Sequence, residues 1–336
     1  MDLAELMGSK TVKAIFDHYE SKQEGPRPHL GASIIGKSCE RAIWYDFHWA
    51  TYPKFTGRIL RLFERGQREE TILVKNLRDI GVVVWEVDPT TGKQIAFKAF
   101  GGHFAGSCDG IARGLPDSPN KPHVLEFKTS NTAKFKQLQK MGVEQTHPQH
   151  YAQMQVYMKA FDIDRAFYMA VCKETDEIYA ERLHFSLTEA NNLFDRALRI
   201  IQSQDPMGKI SDDPAYYECK LCNHWDICHG GKLPEVNCKT CAHSTPELSG
   251  GWSCLENHEM VKGCANHIYH PVFFKPLEVV DFKDNTLTLS DGTANGKLGF
   301  SSENLKELWG TTLTSEKGLI QIQEIFGSTV KKAWNK

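Results

Sequence analysis

From Gly57 to Ile80 the apolar residues return at helical spacing. Ile59, Phe63, Gly66, Leu73, Leu77 and Ile80 share one stripe and predict an amphipathic helix of several turns. Glu70 falls on the same stripe. A carboxylate there is costly unless it is paired, binds a cation, or sits at the rim with its head group in water. From 82 to 128 the period changes to two. VVVWEV, KQIAFKAF, HFAGSCDGIA and HVLEFKT, separated by turn formers such as DPTTG and GLPDSPNKP, predict a meander of antiparallel strands. Helical patterns also lie at 37–49 and 147–161, and RAFYMAVCK and EIYAERLHF read as two more strands. Ser186 and Glu189 form an S-x-x-E capping box that opens a helix running to Ser203. Helix, sheet, helix, sheet and helix predict an α/β core over roughly 30–205.

Outside that core the pattern is less regular. Residues 1–30 hold a short amphipathic segment stopped by GPRPHL, and DPMGKISDDP marks the boundary to a cysteine-rich stretch at 217–270. The tail, 271–336, shows a hairpin signal in VVDFKDNTLTLSDG and helical stretches at 302–309 and 315–333. It is expected to be a small α+β accessory domain.

Composition narrows the class. At 336 residues, 40% hydrophobic and 24% charged, without a run of eighteen apolar residues, the chain is neither disordered nor expected to cross a membrane. Its opening, MDLAELMGSK, lacks the features of a secretory signal, so a cytoplasmic location is expected. A net charge of -2 argues against coating nucleic acid by bulk electrostatics, so any DNA contact needs a local basic patch. Two candidates are Lys134, Lys136 and Lys140 on a loop or short helix, and Arg58, Arg61, Arg65 and Arg68 on the polar side of the Glu70 helix. Of ten cysteines, seven crowd between 219 and 264, which reads as metal ligation in a chain without an export signal. Cys108 and Cys172 read as buried strand cysteines.

The candidate chemistry lies in HVLEFKT, where alternation sends Leu125 and Phe127 to one face and Glu126 and Lys128 to the other. The preceding strand ends in S-C-D-G, so Asp109 can approach the same point as Glu126. Two carboxylates bracketing one spot need a cation or a proton, and oxygen ligands suit Mg2+ or Mn2+. Such a cation can polarise a phosphate and acidify an attacking water while a lysine ammonium offsets transition-state charge. By itself the string D…ExK is also compatible with a charge pair on a solvated strand face.

Four pieces occur together and in order: Ser33, Cys39, Arg41, Trp44 and Tyr45 in S-x5-C-x-R-x2-W-Y; Gly66 and Glu70 in G-x3-E; Asp109, Gly110, Glu126 and Lys128 in D-G…E-F-K; Gln153 and Tyr157 in Q-x3-Y. In this the chain resembles the RecB-like and phage exonuclease branch of the PD-(D/E)XK nucleases, although Cys108 stands where the name-giving proline would be. The resemblance implies a restriction-endonuclease-like core with a mixed central sheet flanked by helices, and a metal-dependent DNA exonuclease of recombination, repair or phage DNA processing. A structure-selective endonuclease and a non-cleaving DNA-binding module are the alternatives, with the tail expected to dock DNA or a recombination or replication protein, in the host cytoplasm if the gene is a phage's. It further implies catalytic roles for Asp109, Glu126, Lys128, Gln153 and Tyr157, with Gln153 and Tyr157 positioning substrate or the metal-bound water. Glu70, Asp109, Glu126 and Phe127 are the implied ligands of Mg2+ or Mn2+.

Several such relatives hold a [4Fe–4S] cluster through one cysteine before the core and three after it. The matching residues are Cys39, Cys219, Cys222 and Cys228, which would close a long loop. Cys238, Cys241, Cys254 and Cys264 have the two-plus-two arrangement of a small zinc ribbon, with His243 and His267 as alternative ligands that the four cysteines leave as expected surface residues. A rival zinc set, Cys219-x2-Cys222-x15-Cys238-x2-Cys241, stays open, and with it two zinc ions in place of iron–sulfur and zinc. The expected division is thus an N-terminal segment to 30, a nuclease core at 31–230, a cysteine-rich metal module at 231–270 and the tail at 271–336.

Overall fold

The computed structural model describes residues 8–230, 232–241, 243–255, Cys264 and His267, together with the backbone of three strands between 278 and 301. The helices expected at 302–309 and 315–333 lie outside the described residues, as do residues 1–7. The chain divides into two compact units, one of Met1–Ser38 with Tyr52–Ile200 and one of Cys39–Thr51 with Ile201–Lys336. No described helix is long and apolar enough to cross a membrane.

The first unit is mixed α/β. Helix α1 (Lys10–Ser21) and strand β1 (Leu30–Gly31) precede the long helix α3 (Gly57–Asp79), α2 (Glu40–Phe47) belonging to the second unit. Strands β2 (Val83–Trp85), β3 (Ala96–Ala99), β4 (Phe104–Ser107), β5 (Gly110–Arg113) and β6 (His123–Ser130) follow. Helices α4 (Thr132–Thr146) and α5 (Pro148–Phe161) then lead to β7 (Arg165–Cys172), β8 (Ile178–His184) and α6 (Leu187–Gln202). A five-stranded sheet runs β2-β5-β6-β7-β8, with β6 and β7 parallel and every other pair antiparallel. The parallel pair needs a crossover, and α4 and α5 supply it. One face of the sheet carries Leu125 and Phe127 of β6 and Phe167, Met169 and Val171 of β7, packed with Leu73, Val74 and Leu77 of α3. Each such side chain contributes about 1.5–3 kcal/mol by leaving water.

Three expectations need correction. HFAGSCDGIA is not one strand: it breaks at Cys108–Asp109, and β4 joins a separate three-stranded sheet in the order β1-β4-β3 while β5 enters the main sheet. The strands from 82 to 128 are therefore divided between two sheets and do not form a single meander. The break frees Asp109 from both ladders. In α3 the stripe is buried only at Leu73 and Leu77, for Phe63 is 48% exposed and Ile80 64%. The run TAKFKQLQK is neither loop nor short helix but the start of the 15-residue α4, capped by Asn131, whose side-chain oxygen accepts from Lys134 N at 2.9 Å. Phe135, Leu138 and Val143 are its buried residues, and Lys134, Lys136 and Lys140 all stay exposed.

In the second unit, helix α2 (Glu40–Phe47) buries Ala42, Ile43, Trp44, Tyr45 and Phe47. Trp44 Nε1 donates to Ser203 O at 2.9 Å and Arg41 Nε to Met207 O at 2.7 Å. Short helices α7 (Tyr217–Lys220) and α8 (Trp225–Cys228) follow, and then a hairpin of β9 (Ser244–Pro246) and β10 (Trp252–Cys254). The hairpin expected in the tail is present as β11 (Glu278–Lys283) and β12 (Thr286–Ser290), extended by a third antiparallel strand, β13 (Lys297–Ser301).

Candidate functional site

The residues singled out in D-G…E-F-K meet where β4 ends and β5 begins, beside the middle of β6. Asp109 Oδ2 accepts from Phe127 N at 2.6 Å, which ties the turn carboxylate to the neighbouring strand. Gly110 is needed for this approach, because a Cβ there would stand 2.9 Å from Trp85 O on β2. Phe127 turns its ring into the core, so it can offer the site only its carbonyl, which accepts from Lys128 Nζ at 3.1 Å. Lys128 also donates to Glu126 Oε1. Glu126 is 1% exposed and Glu70, reaching in from α3, is half-buried.

The electrostatics follow from burying acids together. Burial pushes Glu126 up to about 7, with the Lys128 ammonium opposing and the Asp109 and Glu70 charges adding to the rise. Glu70 also stands at about 7, first through burial and then through Asp109, against the pull of Lys128. Asp109 is raised by burial, which Lys128 and the Phe127 N–H only partly offset. Burial works against the Lys128 ammonium, but Glu126, Asp109 and Glu70 outweigh it and hold its pKa above the ordinary lysine value. Three carboxylates thus sit within one another's field around one ammonium. Among the described residues no group of three or more histidine, cysteine, aspartate or glutamate side chains is already arranged to hold a metal ion. The donor set is nonetheless oxygen throughout, a kind that suits hard divalent cations.

Helix α5 covers this pocket. Gln153 Nε2 donates to Glu126 Oε2 at 3.2 Å and to the Tyr157 hydroxyl at 3.1 Å, and that hydroxyl donates to Ser107 O at 2.7 Å. The i, i+4 spacing places both side chains on one face. Tyr157 is 2% exposed, and its ring reaches Gly106, where an added Cβ would meet it at 3.0 Å. Tyr157 therefore both packs and bonds, holding Gln153 against Glu126.

No family model and no curated protein matches the chain. Similar solved structures include the crystal structure of SSO0001, at 16% identity and a TM-score of 0.38, covering 66% of this chain and 97% of that one. Two others are crystal structures of an alkaline exonuclease, LHK-Exo, from Laribacter hongkongensis. The first, at 15% identity and a TM-score of 0.37, covers 55% of this chain and 90% of that one. The second, in complex with dAMP, is 15% identical with a TM-score of 0.35 and covers 56% and 90%. The likeness is weak, and the chemistry of the site rests on this chain's own residues.

None of the ten cysteines is in a disulfide. Eight of them fall in the second unit, Cys39 among them, at the N-cap of α2. Cys219 is raised by burial and then by Cys39 and Cys228, and Cys228 is raised by burial while Lys209 and Arg41 pull it down. Cys39, Cys219 and Cys228 therefore lie in one another's field although 180 residues separate the first from the second. Cys222 is held to Cys219 by its N–H, which donates to Cys219 O at 3.0 Å. In the second set, Cys238 and Cys241 flank a turn in which Cys241 N donates to Cys238 O at 3.2 Å, and Cys254 pairs with Ser244 across the β9–β10 hairpin. His267 is not a surface residue, contrary to expectation. It is buried, with Nε2 3.3 Å from Thr240 Oγ1, a polar contact that sequence spacing does not reveal. Cys108 and Cys172 are fully buried, as expected of strand cysteines.

Two groups escaped the sequence reading. Lys239, inside the Cys238–Cys241 turn, is 4% exposed, with its ammonium 4.2 Å over Trp49 and 5.0 Å over both Phe47 and Trp252. Its burial lowers its pKa to about 7. The second group is His147 and His150, at the start of α5, whose rings stack 4.9 Å apart. The spacing H-P-x-H at a helix start was the available signal.

Proposed function

We propose that this chain is a metal-dependent DNA nuclease, an exonuclease acting on DNA in recombination, repair or phage DNA processing. The observation that carries the reading is the convergence of Asp109, Glu126 and Lys128 at one point, with Gln153 bonded to Glu126. Mg2+ or Mn2+ held by Glu70, Asp109, Glu126 and the Phe127 carbonyl would polarise the scissile phosphate and acidify a water. The chain's own residues do the rest. Lys128 offsets negative charge as it grows on the phosphoryl oxygens, and Gln153, fixed by Tyr157, keeps Glu126 in place. Lys134, Lys136 and Lys140 lie on the exposed side of the helix after β6 and supply the local basic patch that a chain of net charge -2 needs for DNA.

We further propose that Cys39, Cys219, Cys222 and Cys228 hold a [4Fe–4S] cluster and that Cys238, Cys241, Cys254 and Cys264 hold zinc. The mutual field of Cys39, Cys219 and Cys228 supports the first set. Thiolates gathered without a disulfide are suited to soft metal centres. The activity is tested by incubating the purified protein with Mn2+ and either linear or covalently closed circular DNA. Loss of the linear form alone is expected, with EDTA stopping it. Cutting of the circle would replace the exonuclease with an endonuclease, and no cutting of either would remove the nuclease reading.

A further inference from the structure

Beside the acidic pocket three planar rings lie in a run. Tyr168 of β7 is 1% exposed and in register with Glu126 across the β6–β7 ladder, so both side chains share a face. His150, in the first turn of α5, places Nδ1 3.1 Å from the Tyr168 hydroxyl, with its ring 5.9 Å from the tyrosine ring at 27°. His147 lies at 13° to His150 and is the half-exposed end of the run. Its orientation is built in. His147 is the junction of α4 and α5, with Pro148 fixing the start of α5, and its Nδ1 is 2.9 Å from Thr146 Oγ1, which itself donates to Gly142 O at 2.6 Å.

Charge is arranged around the rings to match. Burial and Lys134 lower the pKa of His147, and burial, Lys128, His147 and Lys134 lower that of His150 to about 3, so both imidazoles are neutral at pH 7. The ammonium groups of Lys134 and Lys128 flank the run. A row of neutral flat rings ending at a half-exposed face beside ammonium groups matches the chemistry of a DNA strand, in which flat bases alternate with phosphates. A structural prop for the α4–α5 corner would need neither the lysines nor an exposed terminal ring.

We propose that His147 is a stacking platform for an unpaired nucleobase of the strand whose phosphate enters the Asp109–Glu126 pocket, with Lys134 holding an adjoining phosphate. The inference rests on the nuclease reading and adds to it a residue that positions the substrate by its base. It requires at least one nucleotide at the site to be free of its complement, because a paired base inside a duplex has both faces covered.

The test uses the full-length protein and single-stranded oligonucleotides carrying 2-aminopurine or an abasic residue at successive positions. His147→Ala is expected to raise KM roughly ten-fold with kcat within about two-fold, and to abolish the quenching of 2-aminopurine on binding. His147→Phe, which restores a flat ring, is expected to recover both. On wild-type protein one abasic position should cost the same factor, and His147→Ala should lose nothing more there. Unchanged KM and quenching in His147→Ala, or no recovery in His147→Phe, overturns the platform. So does a fall in thermal midpoint shared by both variants, which marks a corner prop. Absence of cleavage by wild-type protein that still quenches 2-aminopurine would overturn the nuclease reading and leave the platform standing.

Discussion

Each acid in the pocket owes its raised pKa first to burial, and each can be removed singly. Asp109→Ala deletes one of three carboxylates and the acceptor for Phe127 N, and is expected to lower cleavage by about 10²–10³-fold or more while the far-ultraviolet circular dichroism is retained. The pH dependence follows from Glu70 and Glu126, both raised to about 7 from 4.5. A carboxyl group whose folded value exceeds its unfolded one makes the folded state hold the extra proton between those values. The metal-free protein therefore loses stability as pH rises from about 4.5 through 7. A divalent cation replaces those protons, so Mn2+ is expected to raise the thermal midpoint more at pH 8 than at pH 6. Equal shifts at the two pH values would mean that the cation binds elsewhere.

At the scale of elements, the site depends on a strand that stops and a helix that caps. Tyr157→Phe removes the hydroxyl that bonds Ser107 O and Gln153, taking a partner from a part-buried carbonyl. We expect a loss of about 1–3 kcal/mol in denaturant unfolding and a fall in kcat with KM little changed, since Gln153 loses its support but DNA contacts stay. Much of this was legible in the sequence. Alternation in HVLEFKT placed Glu126 opposite Leu125, and the Q-x3-Y spacing put Gln153 and Tyr157 on one face. S-C-D-G marked a strand end beside Asp109, but the change of sheet there was not legible, because only the pairing of β4 and β5 with different partners reveals it. The full length of α4 was hidden for a related reason. Gly142, with φ of 76°, sits inside it, and Glu181 of β8 accepts from Val143 N at 2.8 Å to carry the chain past the kink, a contact made 38 residues away. The buried Lys239 was likewise invisible, since its stabilisation comes from Phe47, Trp49 and Trp252, far from it along the chain.

For the whole molecule the cysteine chemistry is the larger commitment. Protein purified without oxygen is expected to be brown, with broad absorption near about 400 nm, and Cys39→Ala to lose that colour together with stability. Colourless protein carrying two zinc ions would replace the iron–sulfur centre by the rival zinc pairing. Lys239 gives a second check on the same unit. Lys239→Ala removes a buried ammonium from three aromatic rings and from its hydrogen bond to Phe47 O at 3.3 Å, and is expected to lower the thermal midpoint without changing the Mn2+ dependence of cleavage.

The most direct test of the central claim is a single comparison. End-labelled linear DNA is incubated with Mn2+ and either wild-type protein or Asp109→Ala protein, and cleavage and binding are measured on the same samples. The account predicts degradation by wild type and binding without degradation by the variant. If neither protein cleaves and both bind DNA equally, Asp109, Glu126 and Lys128 are not a catalytic centre.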